Sequence, residues 1–302
     1  MATDTGLQRA NNEDRVYMDA ERGVFLVVDG LGGHAAGERA AELAADIIPR
    51  ELELVDGPLE DRVRYAITRA NNEICEIAEM NAECRGMACV LTLAIAHDDT
   101  ITVGHVGDSR LYLVWNGAVR KLTSDHSSVG EQEDRGEITE SEAMDHPRRN
   151  EVFRDVGSRL HEPTDENFIE TKSLPFHPEA ALLLCSDGLS DVLTSAEISR
   201  IVEQYDGDAE SIAQTLVNAA NDAGGKDNIS VIFVAGPEFV GNASPLMSEA
   251  RTRHAITRMR RGSKRWRFWL ERFAWLMLGM ILGAIALVMI EHAIGHPLLP
   301  QF

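Results

Sequence analysis

The sequence predicts an α+β domain followed by one membrane-spanning helix. Three observations carry this expectation. Short apolar, β-branched runs such as Phe25–Val28, Val90–Ala96 and Ala180–Cys185 have the length and composition of buried strands. Two long segments, 35–54 and 59–80, place apolar side chains at helical spacing along one side. Near the C-terminus, Phe273–Ile290 is an uncharged apolar run of 18 residues, the lower length for a helix that crosses a bilayer.

The elements follow in order. Met1–Asn12 is polar and lacks an apolar core, so no cleaved leader is expected. The strand Phe25–Val28 stops at Asp29; Gly30, Gly32 and Gly33 follow, and a helix begins near Ala35. That helix carries Ala40, Leu43, Ala44 and Ile47 on one face, and the next, Leu59–Met80, carries Val63, Ile67, Ala70, Ile74 and Ile77. Strands are predicted at Val90–Ala96 and Ile101–Val106. Leu111–Trp115 and Ala118–Leu122 flank Asn116-Gly117, a hairpin turn signal that makes this pair antiparallel. A polar region runs from Thr123 to about Pro175, with short helical pieces at Glu140–Met144 and Asn150–Val156. A connection of that length in a compact domain is functional or mobile. The strand ending at Cys185, helices at Glu197–Val202 and Glu210–Ala220, and a last strand at Val231–Val234 complete the domain.

Charge divides the chain into two materials. The whole sequence carries −20. From Ser248 onward, nine Arg and Lys stand against three Glu, so the excess acid lies in the first 247 residues. An acidic domain disfavours nucleic acid, whose phosphates require basic surface, and suits divalent cations. The four cysteines, Cys75, Cys84, Cys89 and Cys185, show no CxxC spacing and read as free thiols in a reducing compartment.

The chemistry-bearing residues sit at strand ends. Asp29 and Gly30 follow one apolar run, Gly107 and Asp108 another, Asp187 and Gly188 a third, and Asp227 precedes the last. One such Asp at a strand end reads equally as a turn or a cap. Four of them supply enough hard anionic oxygen for a cluster of divalent ions of the two-metal hydrolytic type, and a glycine carbonyl can approach an ion closely because no Cβ stands in the way. Upstream, Arg9 offers a planar fork of donors suited to phosphate, and Asp14 offers another carboxylate. His105 reads as a strand residue, and His126 and His146 as solvated or capping residues.

Six motifs in one order resemble the bacterial type 2C, metal-dependent serine/threonine protein phosphatases: Arg9-x-x-Asn12-Glu13-Asp14, Val28-Asp29-Gly30-Leu31-Gly32-Gly33-His34, Gly107-Asp108-Ser109-Arg110, Leu122-Thr123-x-Asp125-His126-Ser127, Ser186-Asp187-Gly188-Leu189 and Asp227-Asn228-Ile229-Ser230. The resemblance covers about residues 3 to 236. It implies a four-layer αββα sandwich of two antiparallel sheets flanked by helices, with a metal centre at one end. It further implies that Asp29 bridges two Mn2+ or Mg2+ ions, that Gly30 gives its carbonyl to one, and that Asp14, Asp187 and Asp227 complete the pair with Glu13 nearby. Asp108, with Asp187, would help hold a third, weaker ion, and Arg9 would grip the substrate phosphate. Paired cations acidify water, so the nucleophile is a water and no enzyme nucleophile is required. Many eukaryotic relatives carry His directly after the Asp-Gly, where this chain has Leu31; His34 is the nearest candidate for the leaving-group proton, with a metal-held water as the alternative. Gly86-Met87-Ala88-Cys89-Val90 departs from the family's Gly-Thr-Thr-like run, and 127–160 corresponds to its variable flap.

The remaining segments follow from composition. Residues 1–236 form the phosphatase-like domain, 237–272 a basic juxtamembrane linker, 273–290 the membrane span and 291–302 a short external tail. Trp266, Trp269 and Trp275 lie at or near the start of the span, as interfacial aromatics do, and the arginines before it place the domain on the cytoplasmic face of the plasma membrane. The expected partners are phosphoprotein substrates, a Ser/Thr kinase that the enzyme opposes, and the membrane itself. The competing expectation is a non-catalytic module that keeps the fold and binds phosphoproteins.

Overall fold

The structure, a computed structural model, describes residues 1–32 and 35–241. Its strands are β1 (Ala2–Asp4), β2 (Arg15–Asp19), β3 (Val24–Leu31), β4 (Ala88–His97), β5 (Thr100–Val106), β6 (Arg110–Trp115), β7 (Ala118–Lys121), β8 (Glu170–Pro175), β9 (Ala181–Cys185) and β10 (Ile229–Ala235). Its helices are α1 (Ala35–Leu54), α2 (Leu59–Met80), α3 (Ser128–Asp134), α4 (Glu140–Met144), α5 (Asp187–Ser190), α6 (Ser195–Val202) and α7 (Ala209–Asp222).

The apolar strands are apolar on both faces, and this dictates the layering. In β3, Val24, Leu26 and Val28 join a cluster with Ala40, Ala44, Ile47, Ile67 and Ile74 of α1 and α2. The alternate residues Phe25 and Val27 point the other way, into a second cluster with Leu111, Leu113, Leu182, Leu184 and Ile232. In β9 the pattern repeats. Leu182 and Leu184 face the other sheet, while Leu183 and Cys185 pack with Ile198 of α6 and with Ile212, Leu216 and Val217 of α7. Three apolar interfaces separate four layers: helices, sheet, sheet, helices. The two sheets run β1-β10-β9-β6-β7 and β2-β3-β4-β5-β8, and every pairing is antiparallel.

Several expectations need correction. β3 does not stop at Asp29 but continues to Leu31, because Asp29, Gly30 and Leu31 keep their ladder partners Val90, Cys89 and Ala88. Residues 150–156 are not helical. Val152 and Val156 form isolated bridges to Ser127 and Cys89, so the segment is tied down by β-type pairing with the core. β1, β2 and β8 went unpredicted; all three are edge strands and only partly buried, so none presents a continuous apolar run. His126 is buried rather than solvated: its Nδ1 faces the Gly107 N–H at 3.0 Å. His146 does cap a turn, its Nδ1 accepting from the Arg148 N–H. The cysteines are free, with Cys75, Cys89 and Cys185 buried. His34, the basic linker and the apolar run 273–290 lie outside the described residues. Among the described residues, no helix is long and apolar enough to cross a membrane.

Gly104 of β5 lets α2 lie directly on its sheet: a Cβ there would overlap Val63 Cγ1 and sit 2.8 Å from Ile67 Cδ1. Gly104→Ala therefore forces α2 outward. The expected loss is about 1–3 kcal/mol, the cost of overpacking a filled core. It would be read as a lower denaturant midpoint with an unchanged m-value.

Candidate metal centre

Strand register brings the acidic motifs to one end of the sandwich. Arg15 of β2 pairs with Val28 of β3, so Asp14 and Asp29 lie beyond the same rung. Val106 at the end of β5 lies across β4 Leu91, next to Val90, the partner of Asp29. In the other sheet, Cys185 pairs with both Arg110 and Val231, so Asp187 leaves β9 where Asp108 enters β6 and Asp227 enters β10. Antiparallel pairing thus brings Asp14, Asp29, Asp108, Asp187 and Asp227 to one end.

A cleft of about 90 Å3 opens at this end, lined by Arg9, Glu13, Asp29, Gly30, Asp108, Asp187, Asp227 and their neighbours. Asp14 lies beneath it and is 3 % exposed. Neither of its carboxylate oxygens makes a hydrogen bond of normal geometry, and Asp187 Oδ1 is likewise buried without a donor. A buried carboxylate oxygen without a donor loses its hydration and gains nothing in return, unless a cation takes the place of water. Gly30 fits the same picture: a Cβ there would overlap the Gly37 carbonyl and come within 2.8 Å of the Glu13 carbonyl. The donor set is all hard oxygen, as Mn2+ and Mg2+ prefer.

Electrostatics records the crowding. Desolvation, reinforced by Asp14, Asp187, Asp108 and Asp227, drives the Asp29 carboxyl well above the usual carboxylate range. Burial pushes Asp14 up to about 7, with Asp187 and Asp227 adding to it and the Ser230 and Ser186 hydroxyls opposing. Asp108 and Asp187 are raised for the same two reasons, loss of water and neighbouring carboxylates. Among the described residues, two guanidinium groups face this acid most directly. Arg9 Nη2 donates to Asp227 Oδ2 at 2.5 Å, with its side chain half exposed at the rim. Arg149 is buried behind the cleft, with Nη2 2.7 Å from Asp191 Oδ1.

The structure brings together Arg9, Asp14, Asp29, Gly30, Asp108, Asp187 and Asp227. His34, the expected leaving-group acid, falls outside the described residues. Three residues escaped the sequence reading. Asn228 clamps the N-terminal segment to β10: its Nδ2 donates to the Thr5 and Asn11 carbonyls, both at 2.9 Å, and its Oδ1 accepts from the Glu13 N–H at 2.8 Å. Its place directly after Asp227 was the available signal. Asp191 and Arg149 line an adjoining cavity of about 280 Å3. Asp191 follows Asp187 by one helical turn, a spacing that puts both on one side of α5. Arg149 sits in the polar region, where nothing in the sequence separates it from Arg148.

A second ligand-like group lies nearby. One nitrogen each from His105 and His126 and one Glu170 oxygen are within 4.8 Å of one another. Both ring nitrogens of His126 face N–H groups, however: the Gly107 backbone at 3.0 Å and the Arg154 guanidinium at 3.1 Å. A cation already stands where an ion would approach, so this trio reads as a strut behind Asp108.

Comparison with known proteins agrees with the geometry. The family described as "Protein phosphatase 2C" matches residues 8–230. The serine/threonine phosphatase stp of Listeria innocua is 35 % identical over 240 residues, covering 77 % of this chain and 93 % of that one. The protein phosphatase PhpP of Streptococcus pneumoniae is 34 % identical over 243 residues, covering 78 % and 96 %. The crystal structure of the catalytic domain of serine/threonine protein phosphatase PstP in complex with two manganese ions superposes with a TM-score of 0.68 at 30 % identity, covering 78 % of this chain and 95 % of that one. Six motifs, the layered sheets and a carboxylate cluster at their common end are accounted for together: this chain belongs to the protein phosphatase 2C family.

Proposed function

We propose that the chain is a metal-dependent protein serine/threonine phosphatase held at the cytoplasmic face of a membrane, where it opposes a Ser/Thr kinase. The catalytic part of this reading rests on one observation above all, the convergence of carboxylates among which both oxygens of Asp14 and one of Asp187 are buried without a well-aligned donor. Asp14, Asp29, the Gly30 carbonyl, Asp187 and Asp227 would hold two divalent ions, Mn2+ or Mg2+, and Asp108 with Asp187 would contribute to a third. When bound, such ions supply the Lewis acidity that brings a water's pKa towards neutrality and offsets charge on the phosphoryl group.

The protein's own residues do the rest. Arg9, at the rim, exchanges Asp227 for the non-bridging phosphoryl oxygens and orients the ester, its planar fork matching two of them. The strand ends hold the carboxylates at fixed spacing, so little reorganisation accompanies the development of charge in the transition state. His34, after the glycine run that follows Asp29, is assigned the proton that the departing serine or threonine oxygen requires. The non-catalytic alternative has no use for uncompensated buried acid, which costs stability without a cation.

Manganese-dependent hydrolysis of p-nitrophenyl phosphate tests the catalytic reading. Asp29→Ala and Asp187→Ala are each expected to lower turnover by at least ~10²-fold. Turnover unchanged in both variants would eliminate the metal mechanism, and no turnover at any metal concentration would favour the binding module.

The raised carboxyls also set a pH dependence. Asp14 and Asp191 titrate at about 7 in the folded, metal-free chain, against about 3.9 for an unfolded Asp. The folded state therefore binds more protons between those values. The stability these groups contribute is complete below about pH 4 and is lost as pH rises through 7. The Tm of chelator-treated protein is expected to fall from pH 5 to pH 8, and added Mn2+ to raise it more at pH 8 than at pH 5. A flat metal-free Tm with no response to Mn2+ is the contrary result.

The tether rests on the sequence of 237–302. Full-length protein is expected in the membrane fraction after an alkaline carbonate wash, and Leu282→Arg with Ile285→Arg, at the centre of the apolar run, to release it. Release of the unsubstituted chain by the wash would refute the tether.

A further inference from the structure

Arg149 occupies an unusual place. It lies in the polar region after α4, yet it is 4 % exposed, and its guanidinium is set among acids. Nη2 stands 2.7 Å from Asp191 Oδ1, and Nη1 stands 3.6 Å from Asp125 Oδ2 and 3.9 Å from Asp108 Oδ2. None of these approaches is an aligned hydrogen bond: Nη1, Nη2 and Asp191 Oδ1 are all buried without a partner of proper geometry. A guanidinium that belonged here structurally would form the planar two-pronged pairing that Arg110 makes with Asp125, Nε donating to Oδ1 at 3.1 Å and Nη2 to Oδ2 at 2.7 Å. Arg149 holds charge at the site without the directional bonds that would fix it there.

The charge it meets is shared. Asp108, Asp187 and Asp191 each lose water on burial and each feels a carboxylate neighbour; Arg149 opposes the rise of all three, joined by Arg9 at Asp187 and by Arg110 at Asp191. Arg110 faces Arg149 from β6 with like charge and pushes against it. A single positive charge thus serves three carboxylates from a place that a compact divalent ion, with two charges, would fill more favourably. There is also somewhere for the side chain to go. The cavity of about 280 Å3 that Arg149 lines is also lined by Met144, His146 and the carboxylate of Asp145.

We propose that Arg149 is an internal competitor for the third divalent ion: its guanidinium and that ion alternately occupy the site that Asp191 shares with Asp108 and Asp187, and the ion enters only when Arg149 swings into the adjoining cavity. This rests on the reading of the centre as a divalent-metal site. It makes the weak third affinity a property set by one residue of the polar region, separate from the affinity of the two core ions. Because Arg149 is carried on the segment that borders the cleft, whatever displaces that segment also alters third-ion occupancy.

Calorimetric titration of metal-stripped, full-length protein with Mn2+ tests this, with the two tight sites as an internal control of folding. Arg149→Met and Arg149→Ala are expected to tighten the weak event by roughly tenfold or more, because the competing charge is gone. Arg149→Lys, which keeps a charge, is expected to stay near the unsubstituted value. Asp191→Asn in the Arg149→Met background is expected to abolish the gain. A weak event that is unchanged, loosened or absent in both neutral variants, with the tight sites intact, overturns the proposal. Absence of tight sites in the unsubstituted protein overturns the metal reading instead. Anomalous scattering from unsubstituted crystals at high Mn2+ gives a check that needs no variant. An ion beside Asp108 and Asp191 is expected only with Arg149 turned away, and an ion seen with Arg149 still within 3 Å of Asp191 refutes the exchange.

Discussion

Mutual repulsion among buried carboxylates at one end of the sandwich is the constraint to which the surrounding structure answers. Asp14, Asp29, Asp108, Asp187 and Asp227 come from five separate stretches; all of them but Asp29 raise the free energy of at least one other, and Asp29 is raised by the remaining four. Left to themselves such groups would move apart or take up protons. They cannot move apart, because each is fixed within three residues of a ladder rung whose flanking side chains are packed on both faces. The apolar interfaces supply the force that holds the acids together, and the acids in turn have no comfortable state without cations. Metal binding and folding stability are therefore two aspects of one free energy here.

Two of the motifs that mark the family serve this constraint at one remove. Arg110 and Asp125, from the third and fourth motifs, do not face the cleft. Arg110 is 2 % exposed and donates to both carboxylate oxygens of Asp125, to Glu133 of α3 and to the Tyr112 hydroxyl. Burial alone would raise the Asp125 carboxyl, but Arg110, with Lys121 and Arg149, holds it well below the ordinary range. A buried pair so well satisfied is costly to disturb from either side, and it fixes the start of β6, where Asp108 sits. Asn228 does the equivalent work with neutral bonds for Glu13 and Asp14. A motif residue can thus be essential to the site's shape without touching anything that reacts.

This explains which parts of the molecule were legible in the sequence. The helices α1 and α2 were readable to the residue because their apolar stripes recur over five or more turns. The strands buried on both faces were readable as apolar runs, and the aspartates at their ends stood out against them. β2 and β8 were not, since each gives up only part of its surface and mixes charge with apolar side chains. Asp29 lines the cleft, but its strand was cut short, because sequence pattern alone cannot distinguish a glycine that ends a strand from one that lets another backbone lie against it, as Gly30 does. The segment 150–156 misled for a related reason. Its residues form bridges with Ser127 and Cys89, partners far off in sequence, and local propensity contains no information about them. Arg149 was invisible on the same grounds: its role depends on Asp108 and Asp191, forty residues away on either side.

Arg9 and Arg149 divide the electrostatic task between them. Arg9 is half exposed, reaches the cleft from the rim and is paired with a carboxylate at its mouth, so it is free to transfer its bonds to an incoming phosphate at little desolvation cost. Arg149 is buried, reaches the same acids from behind and gives up nothing to solvent by staying. A phosphate monoester brings negative charge into a cleft that is already acidic, so its binding requires positive charge in front, while the carboxylates require it within and behind. Placing the mobile guanidinium outside and the poorly bonded one inside meets both needs from a domain whose overall charge is strongly negative. The surplus acid of the chain and the scarcity of cations at its centre are consequences of one design, in which positive charge is to be supplied by ions drawn from solution.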